Sequence, residues 1–217
     1  MASTAVIVAN GELELTPEVE ALVARADLLI CADGGLRHAA AHGWQPQLVV
    51  GDLDSAPAEL VAEAAARGAV IERHPCCKDE TDTELALRAA LAAGAEEIYL
   101  LAATGDRLDH SLANILMLAL LEAAGARVVL LAGRQRLQVI RGEACIEGRA
   151  GDLVSLLPIG GDAVGIHTSG LEYALAGGTL PFGIPRGVSN VLTEGRATVR
   201  VEQGLLLAVV TPAGGEQ

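Results

Sequence analysis

Up to Gly133 the chain repeats one pattern: a short apolar run, a polar turn, then a segment of helical period. The apolar runs are Ala5–Ala9, Leu28–Ala32, Leu48–Val50, Val70–Ile71, Ile98–Ala102 and Val128–Leu131. The helical segments are Pro17–Arg25, Leu36–His42, Ala58–Arg67, Thr81–Ala93 and Leu108–Ala124. Strict β–α alternation leaves little choice of architecture. It predicts a mostly parallel sheet with helices on both faces. In such sheets ligands bind beyond the carboxyl ends of the strands, where the strand order reverses.

Acidic clusters occupy that kind of position four times. They are Cys31-Ala32-Asp33-Gly34-Gly35, Gly51-Asp52-Leu53-Asp54-Ser55, Lys78-Asp79-Glu80-Thr81-Asp82 and Thr104-Gly105-Asp106-Arg107-Leu108-Asp109-His110. Desolvating a carboxylate costs several kcal/mol unless it is paired or binds a metal. Clusters repeated just past buried strands therefore predict one shared site. Carboxylates alone suit a hard cation such as Mg²⁺, which in turn suits a polyphosphate.

Each cluster reads differently. Asp52 and Asp54 stand two residues apart, so in an extended segment both face one side and can hold one cation. Asp33-Gly34-Gly35 sits at a strand-to-helix turn, where glycine lets the backbone approach a ligand and the helix start offers free N–H groups. Thr81 and Glu84 have the spacing of a capping box, which puts Asp82 in the first helical turn. Lys78 beside Asp79 makes a mixed-charge group suited to polyphosphate and metal. Arg107, His110, Ser111 and Asn114 fall on one face of the last helix. Leu108, Leu112, Ile115 and Ala119 are expected to form its core stripe. Arg107 is suited to clamping a phosphate, and His110 reads as a helix-surface histidine.

Composition excludes several classes. The net charge of −13 argues against nucleic acid or an anionic membrane as partner. Lys78 is the single lysine, and it lies inside an acidic cluster. No apolar stretch reaches the roughly 18 residues that a membrane span needs. Met1-Ala2-Ser3-Thr4 leads directly into a strand-like run, and the spacing of Cys31, Cys76, Cys77 and Cys145 makes no disulfide or zinc framework. Both features lead us to expect a cytoplasmic protein with reduced thiols. The chain has neither G-x-G-x-x-G nor G-x-x-x-x-G-K-[ST], so nicotinamide and P-loop chemistry are disfavoured.

Past Gly133 the pattern changes to short, glycine-punctuated apolar runs with little helical period. Leu137–Ile140, Ala144–Ile146, Leu153–Leu157, Val164–His167, Gly187–Leu192, Ala197–Val201 and Leu205–Val210 read as strands, with Glu202-Gln203-Gly204 as a hairpin turn between the last two. The expected organisation is an α/β domain over residues 1–133, with a mostly parallel, Rossmann-like sheet, and an all-β sandwich or barrel over residues 134–217.

The series D-G-G, G-D-x-D-S, K-D-x-T-D and T-G-x-R-L-D-H, in that order, resembles the thiamine pyrophosphokinase family. Gly170-Leu171-Glu172-Tyr173 and Gly187-Val188-Ser189-Asn190 are similar to motifs of that family's β domain. The resemblance implies transfer of the pyrophosphoryl group of ATP to the thiamine hydroxyl, giving thiamine diphosphate and AMP. It implies a homodimer that binds thiamine in a cleft between subunits. It places Asp33, Asp52, Asp54 and Asp82 at a Mg²⁺ and phosphate centre, with Lys78 and Arg107 neutralising phosphate charge. It puts Gly34, Thr104, Arg107 and Asp109 on the ATP side, and Asp79, Thr81, Ser189 and Asn190 near the acceptor. Aromatic residues are limited to Trp44, Tyr99, Tyr173 and Phe182. The residues themselves leave open a pterin or other alcohol as acceptor, a non-catalytic nucleotide or thiamine diphosphate sensor, and a metal-dependent phosphohydrolase.

Overall fold

The structure is a computed structural model that describes residues 3–122 and 125–214. It separates into two compact units, Met1–Gly133 and Arg134–Gln217.

Unit 1 runs β1 (Thr4–Val8), α1 (Pro17–Arg25), β2 (Leu28–Ala32), α2 (Leu36–Ala41), β3 (Leu48–Gly51), α3 (Ala58–Ala66), β4 (Val70–Arg73), α4 (Asp82–Ala92), β5 (Glu97–Leu101), α5 (Leu108–Glu122) and β6 (Arg127–Ala132). The strand order is β4-β3-β2-β1-β5-β6, and every pair is parallel. The chain builds outward from β1 to β4, then crosses back to place β5 on the other side of β1. The strand order thus reverses between β1 and β5. Val6, Val8, Leu29, Cys31, Val49, Leu101 and Val129 from the strands pack with Val19, Leu22 and Val61 from the helices in one core. Strands covered on both faces explain why their sequences are continuous apolar runs rather than alternating ones.

Local signals start two of the helices. Thr16 Oγ1 accepts from Val19 N at 3.2 Å, with Pro17 as the first helical residue of α1. Thr81 Oγ1 accepts from Glu84 N at 3.2 Å at the start of α4. Only that half of the expected capping box forms, because the Glu84 carboxylate instead takes two hydrogen bonds from Arg88 one turn on.

α5 departs from expectation. Leu108 and Leu112 are exposed rather than buried, and with Leu116 and Leu120 they form an apolar row at 50–69% exposure. The face turned to the core instead carries Ser111, Asn114 and Leu118. Periodicity located the helix but not its buried side, because two polar side chains are needed inside to hold a loop. Residues 123 and 124, the expected end of this helix, lie outside the described residues.

Unit 2 contains β7 (Gln135–Ile140), β8 (Glu143–Glu147), β9 (Leu153–Ser169), β10 (Ala176–Leu180), β11 (Asn190–Val191), β12 (Arg196–Arg200) and β13 (Gln203–Thr211). All pairings within it are antiparallel. Two expected strands, Leu153–Leu157 and Val164–His167, are one 17-residue strand that passes through Gly160 and Gly161. Its first half pairs mainly with β13, and its second half pairs with β10 and β12. The expected hairpin is corrected accordingly: the final two strands both pair with β9 and not with each other among the described residues. Gly187–Leu192 shrinks to the two-residue β11 behind a 3₁₀ turn, Pro185–Gly187. The sequence Ala176-Gly-Gly-Thr-Leu180 was not read as a strand, because two glycines mask its pattern. Ile140, Ile146, Val154, Leu156, Ile166, Leu180, Val199 and Leu206 form the core of this unit.

One contact in unit 1 sets the shape of the β2–α2 turn. A Cβ on Gly35 would overlap the carbonyl oxygen of Val8 in β1. Backbone atoms cannot rotate away as a side chain does. Gly35→Ala is therefore expected to cost about 1–3 kcal/mol. That corresponds to about 2–4 °C in Tm per kcal/mol for a chain of this size. Gly195→Ala, whose added Cβ meets nothing nearer than 3.9 Å, serves as the control in thermal unfolding. Equal melting of the two variants would show that the turn is free to move off β1.

Candidate active site

The carboxyl ends of β1, β2, β3 and β5 and the loop after β4 surround one cavity of about 930 Å³. It lies at the reversal of strand order, where the loops after β1 and β5 meet. Gly11 N donates to Ala102 O at 2.6 Å, and Glu12 N to Thr104 O at 2.7 Å. A Cβ on Gly11 would overlap Thr104 O, so this crossing of loops requires glycine.

All four acidic clusters reach this cavity, and the backbone after three of the strands is unusual. Asp33, Leu53 and Ala102 follow β2, β3 and β5 with φ of 46°, 62° and 52°. Left-handed backbone at a non-glycine residue costs of order 1–3 kcal/mol and collects at functional sites. Its effect here is to turn Asp33 inward. That residue is buried, and its Oδ1 accepts from Ser55 N at 3.3 Å. Burial raises the Asp33 pKa; hydrogen bonds from Gly34 and Ser55 oppose that rise, and the Asp82 charge adds to it.

Asp33, Asp52 and Asp82 bring carboxylate oxygens within 4.8 Å of one another. Lys78 is the cation among them, with Nζ 3.0 Å from Asp82 and 4.0 Å from Asp52. Its side chain is only 11% exposed. Partial burial works against its charge, yet Asp82 and Asp52 outweigh that and raise its pKa. Asp82 Oδ1 is a buried oxygen whose neighbour is the Lys78 ammonium, 3.0 Å away. Carboxylates crowded this closely form a donor set for a hard cation.

Of the four aspartates that the resemblance places at this centre, the trio includes Asp33, Asp52 and Asp82 and leaves out Asp54. Asp54 is exposed, takes a hydrogen bond from its neighbour Ser55 Oγ at 3.0 Å, and lines the cavity beside the trio. The turn after β3 explains the omission: with Leu53 left-handed, Asp52 and Asp54 no longer share a strand face. Asp54 N reaches back to Asp52 Oδ1 at 3.2 Å.

The remaining expected residues divide into two groups. Thr104, Arg107, Asp109, Thr81 and His110 line the same cavity. Arg107 and Asp109 are exposed and pair at 2.6 Å. That hydrogen bond lowers the Asp109 pKa and raises that of Arg107. Gly34 and Asp79 are not among the lining residues. Gly34 instead backs the site, packed so closely on Asn10 that a Cβ would overlap its side chain. Asp79 points to solvent, since the turn before α4 directs Lys78 and Asp82 inward.

Ser189 and Asn190 belong to unit 2. Ser189 has φ 61°, and its N–H donates to Ser155 Oγ at 3.1 Å. The Asn190 side chain clasps Tyr173, with Oδ1 accepting from Tyr173 N at 3.0 Å and Nδ2 donating to Tyr173 O at 2.8 Å. Asn190 thus fixes the Tyr173 backbone, while the Tyr173 ring is exposed.

Asn10, Gly11, Glu12, Ser111 and Asn114 also line the cavity and were not expected as site residues. Asn10-Gly11-Glu12 follows the first strand, the same topological position as the acidic clusters, and that was the available signal. Ser111 Oγ accepts from Gly105 N at 3.1 Å, and Asn114 Nδ2 donates to Ala103 O at 2.7 Å. Both side chains pin the loop that carries Thr104 and Arg107. Cys76 lines the wall as well, and the nearby Asp52 carboxylate raises its thiol pKa. Cys31, inside the sheet, is pushed up to about 12 by burial.

Comparison with known proteins gives one consistent result. The family model described as "Thiamin pyrophosphokinase, catalytic domain" matches residues 19–130, and "Thiamin pyrophosphokinase, vitamin B1 binding domain" matches residues 137–206. The chain is 27% identical over 205 residues to thiamine pyrophosphokinase of Bacillus subtilis, covering 94% of this chain and 96% of that protein. The crystal structure of the Bacillus subtilis protein superposes with a TM-score of 0.87 at 26% identity, covering 97% of this chain and 100% of the other. The Geobacillus thermodenitrificans thiamin pyrophosphokinase structure gives 0.82 at 25% identity, covering 98% and 99%.

Proposed function

Since this chain belongs to the thiamin pyrophosphokinase family, we propose that the aspartate-lined cavity of unit 1 is where ATP reacts and that unit 2 supplies the acceptor site. The chain is an ATP-dependent thiamine diphosphokinase. It moves the pyrophosphoryl group of ATP to the hydroxyl of thiamine and releases AMP. The hydroxyl oxygen bonds to the β-phosphorus as the bridge between the α- and β-phosphates breaks. Catalysis of such displacements is mostly positioning and charge neutralisation.

The observation that carries this reading is the trio Asp33, Asp52 and Asp82, with carboxylate oxygens within 4.8 Å of one another, at the strand-order reversal. These residues fit Mg²⁺ and would hold it. When bound, the ion neutralises phosphate oxygens and the charge developing on the leaving AMP. Lys78, between Asp52 and Asp82, is placed to meet the same oxygens from the protein side. Arg107, at the mouth, is held in orientation by Asp109. Ser111 and Asn114 keep the Thr104 loop in place around the nucleotide. In unit 2, Asn190 fixes the backbone that presents Tyr173, and that contact supports an acceptor site there. The exposed leucine row of α5 supports a homodimer, since soluble monomers rarely keep such a patch open. Exposed thiols at Cys76, Cys77 and Cys145, unpaired in the structure, support a reducing, cytoplasmic setting.

The deciding experiment supplies ATP, Mg²⁺ and thiamine and separates the nucleotides by chromatography. The expected result is AMP and thiamine diphosphate in equal amounts, with no formation from a pterin alcohol. Stoichiometric ADP would overturn pyrophosphoryl transfer, and phosphate release without thiamine would indicate hydrolysis.

A further inference from the structure

We propose that His38, which is not among the lining residues of the aspartate cavity, is a positioning residue for ATP: it fixes the Asn10-Gly11-Glu12 loop that forms one wall of that cavity. The proposal rests on the reading of the cavity as the nucleotide site. Asn10, Gly11 and Glu12 all line it, at the reversal of strand order. Backbone bonds tie one side of the loop to the end of β5. Ala9 N donates to Leu101 O at 2.9 Å, Gly11 N to Ala102 O at 2.6 Å and Glu12 N to Thr104 O at 2.7 Å. The other side faces the β2–α2 segment. There the Asn10 side chain packs on Gly34, and His38 Nε2 lies 2.9 Å from Gly11 O. A carbonyl oxygen only accepts, so the ring donates from Nε2.

Gly11 O and Glu12 N belong to one planar peptide unit. His38 holds its carbonyl and Thr104 O holds its N–H, so the unit is fixed at both ends. A peptide beside glycine otherwise turns at little cost. The hydrogen bond also points the Gly11 carbonyl at a residue outside the cavity wall. A carbonyl turned into the cavity would set its negative end against an entering polyphosphate. Ser111 and Asn114 of α5 pin the opposing loop in the same manner. His38 therefore does for the wall after β1 what those two do for the wall after β5. Asp33 begins the segment, residues 33–41, that carries His38, so the wall is also tied to the carboxylate centre.

Wild type, His38→Leu, His38→Asn and His38→Gln are compared as full chains. The glutamine amide nitrogen lies as many bonds from Cα as histidine Nε2 does, whereas that of asparagine falls one bond short. His38→Leu and His38→Asn are expected to raise the KM for ATP about three- to tenfold, the range that one lost hydrogen bond sets. The thiamine KM and kcat should stay within about twofold, because an interaction made equally in ground and transition states moves KM alone. Isothermal titration with a non-hydrolysable ATP analogue and Mg²⁺ should show the same loss without turnover. Amide hydrogen exchange in the peptide around Gly11 should quicken in both variants. His38→Gln should restore ATP affinity and exchange protection, and His38→Asn carries the test should leucine impair folding. ATP affinity that falls in Lys78→Met but not in the His38 variants would overturn the role of His38 and leave the nucleotide in this cavity. Unchanged ATP affinity in all of them would remove the nucleotide from the cavity, and the proposal with it. A joint fall in kcat and in affinity for both substrates, not relieved in His38→Gln, would make the histidine merely structural and overturn its role for ATP.

Discussion

Asp52→Asn is expected to lower kcat by about 10²–10³-fold, the scale of losing one preorganised electrostatic contact to the transition state. The substitution keeps the shape of the side chain and leaves its oxygen able to accept from Asp54 N. What disappears is one charge of the trio Asp33, Asp52 and Asp82. Like charges packed within 4.8 Å repel when no cation is bound. Thermal unfolding without divalent ions should therefore show a variant no less stable than the wild type, while the Mg²⁺ concentration needed for half-maximal rate rises. Asp54→Asn should lose much less, because Asp54 stands outside the trio and is exposed. Steady-state rates over a Mg²⁺ titration test the ranking. If Asp54→Asn proves the more damaging, the cation is held at the β3 turn by Asp52 and Asp54 and not by the three-strand cluster.

Lys78→Met is expected to reduce kcat/KM for ATP by about 10²-fold or more, since one buried charge-assisted partner is removed from a polyanion. Methionine approximates the stem of lysine, so packing changes little. Lys78 competes with a metal for Asp82 and lies 4.0 Å from Asp52. Its loss should therefore tighten Mg²⁺ binding to the nucleotide-free protein while turnover falls. Isothermal titration with Mg²⁺ alone reads the first effect and kinetics the second. A merely structural lysine would move neither in this way: both Mg²⁺ affinity and turnover would fall as the trio comes apart. Lys78→Arg should not restore full activity. A planar guanidinium cannot occupy the point-charge position between two carboxylates.

Particular elements show where sequence reading succeeds and where it stops. Unit 1 was legible because its inner strands are buried apolar runs and its helices repeat at helical period, although β4 at the edge is largely exposed. β1, with all five residues buried, reads as an unbroken apolar run. α5 was found by its period, but its inner face was misjudged. Ser111 and Asn114 point inward to hold the carbonyl and amide groups of the Ala103–Gly105 loop, and four leucines stay outside. Unit 2 was less legible. β9 carries three glycines, Gly160, Gly161 and Gly165, β10 is glycine-rich, and β11 is only two residues long. Glycine there satisfies a local bend, so its presence did not mark a strand end.

The sequence by itself determined the alternation that makes a parallel sheet, the four acidic clusters past its strands, the single lysine among them, and the order of motifs that points to the family. Those properties depend on residue type and on spacing along the chain. Only the tertiary structure decided which carboxylates meet. Left-handed backbone at Asp33 and Leu53 turns Asp33 into the centre and Asp54 out of it. That backbone is held by contacts distant in sequence: Ser55 on Asp33, Val8 beneath Gly35, and Asp82 facing Gly51. A side chain's direction at a strand end is set by what packs around the turn, and spacing along the chain carries no record of those neighbours.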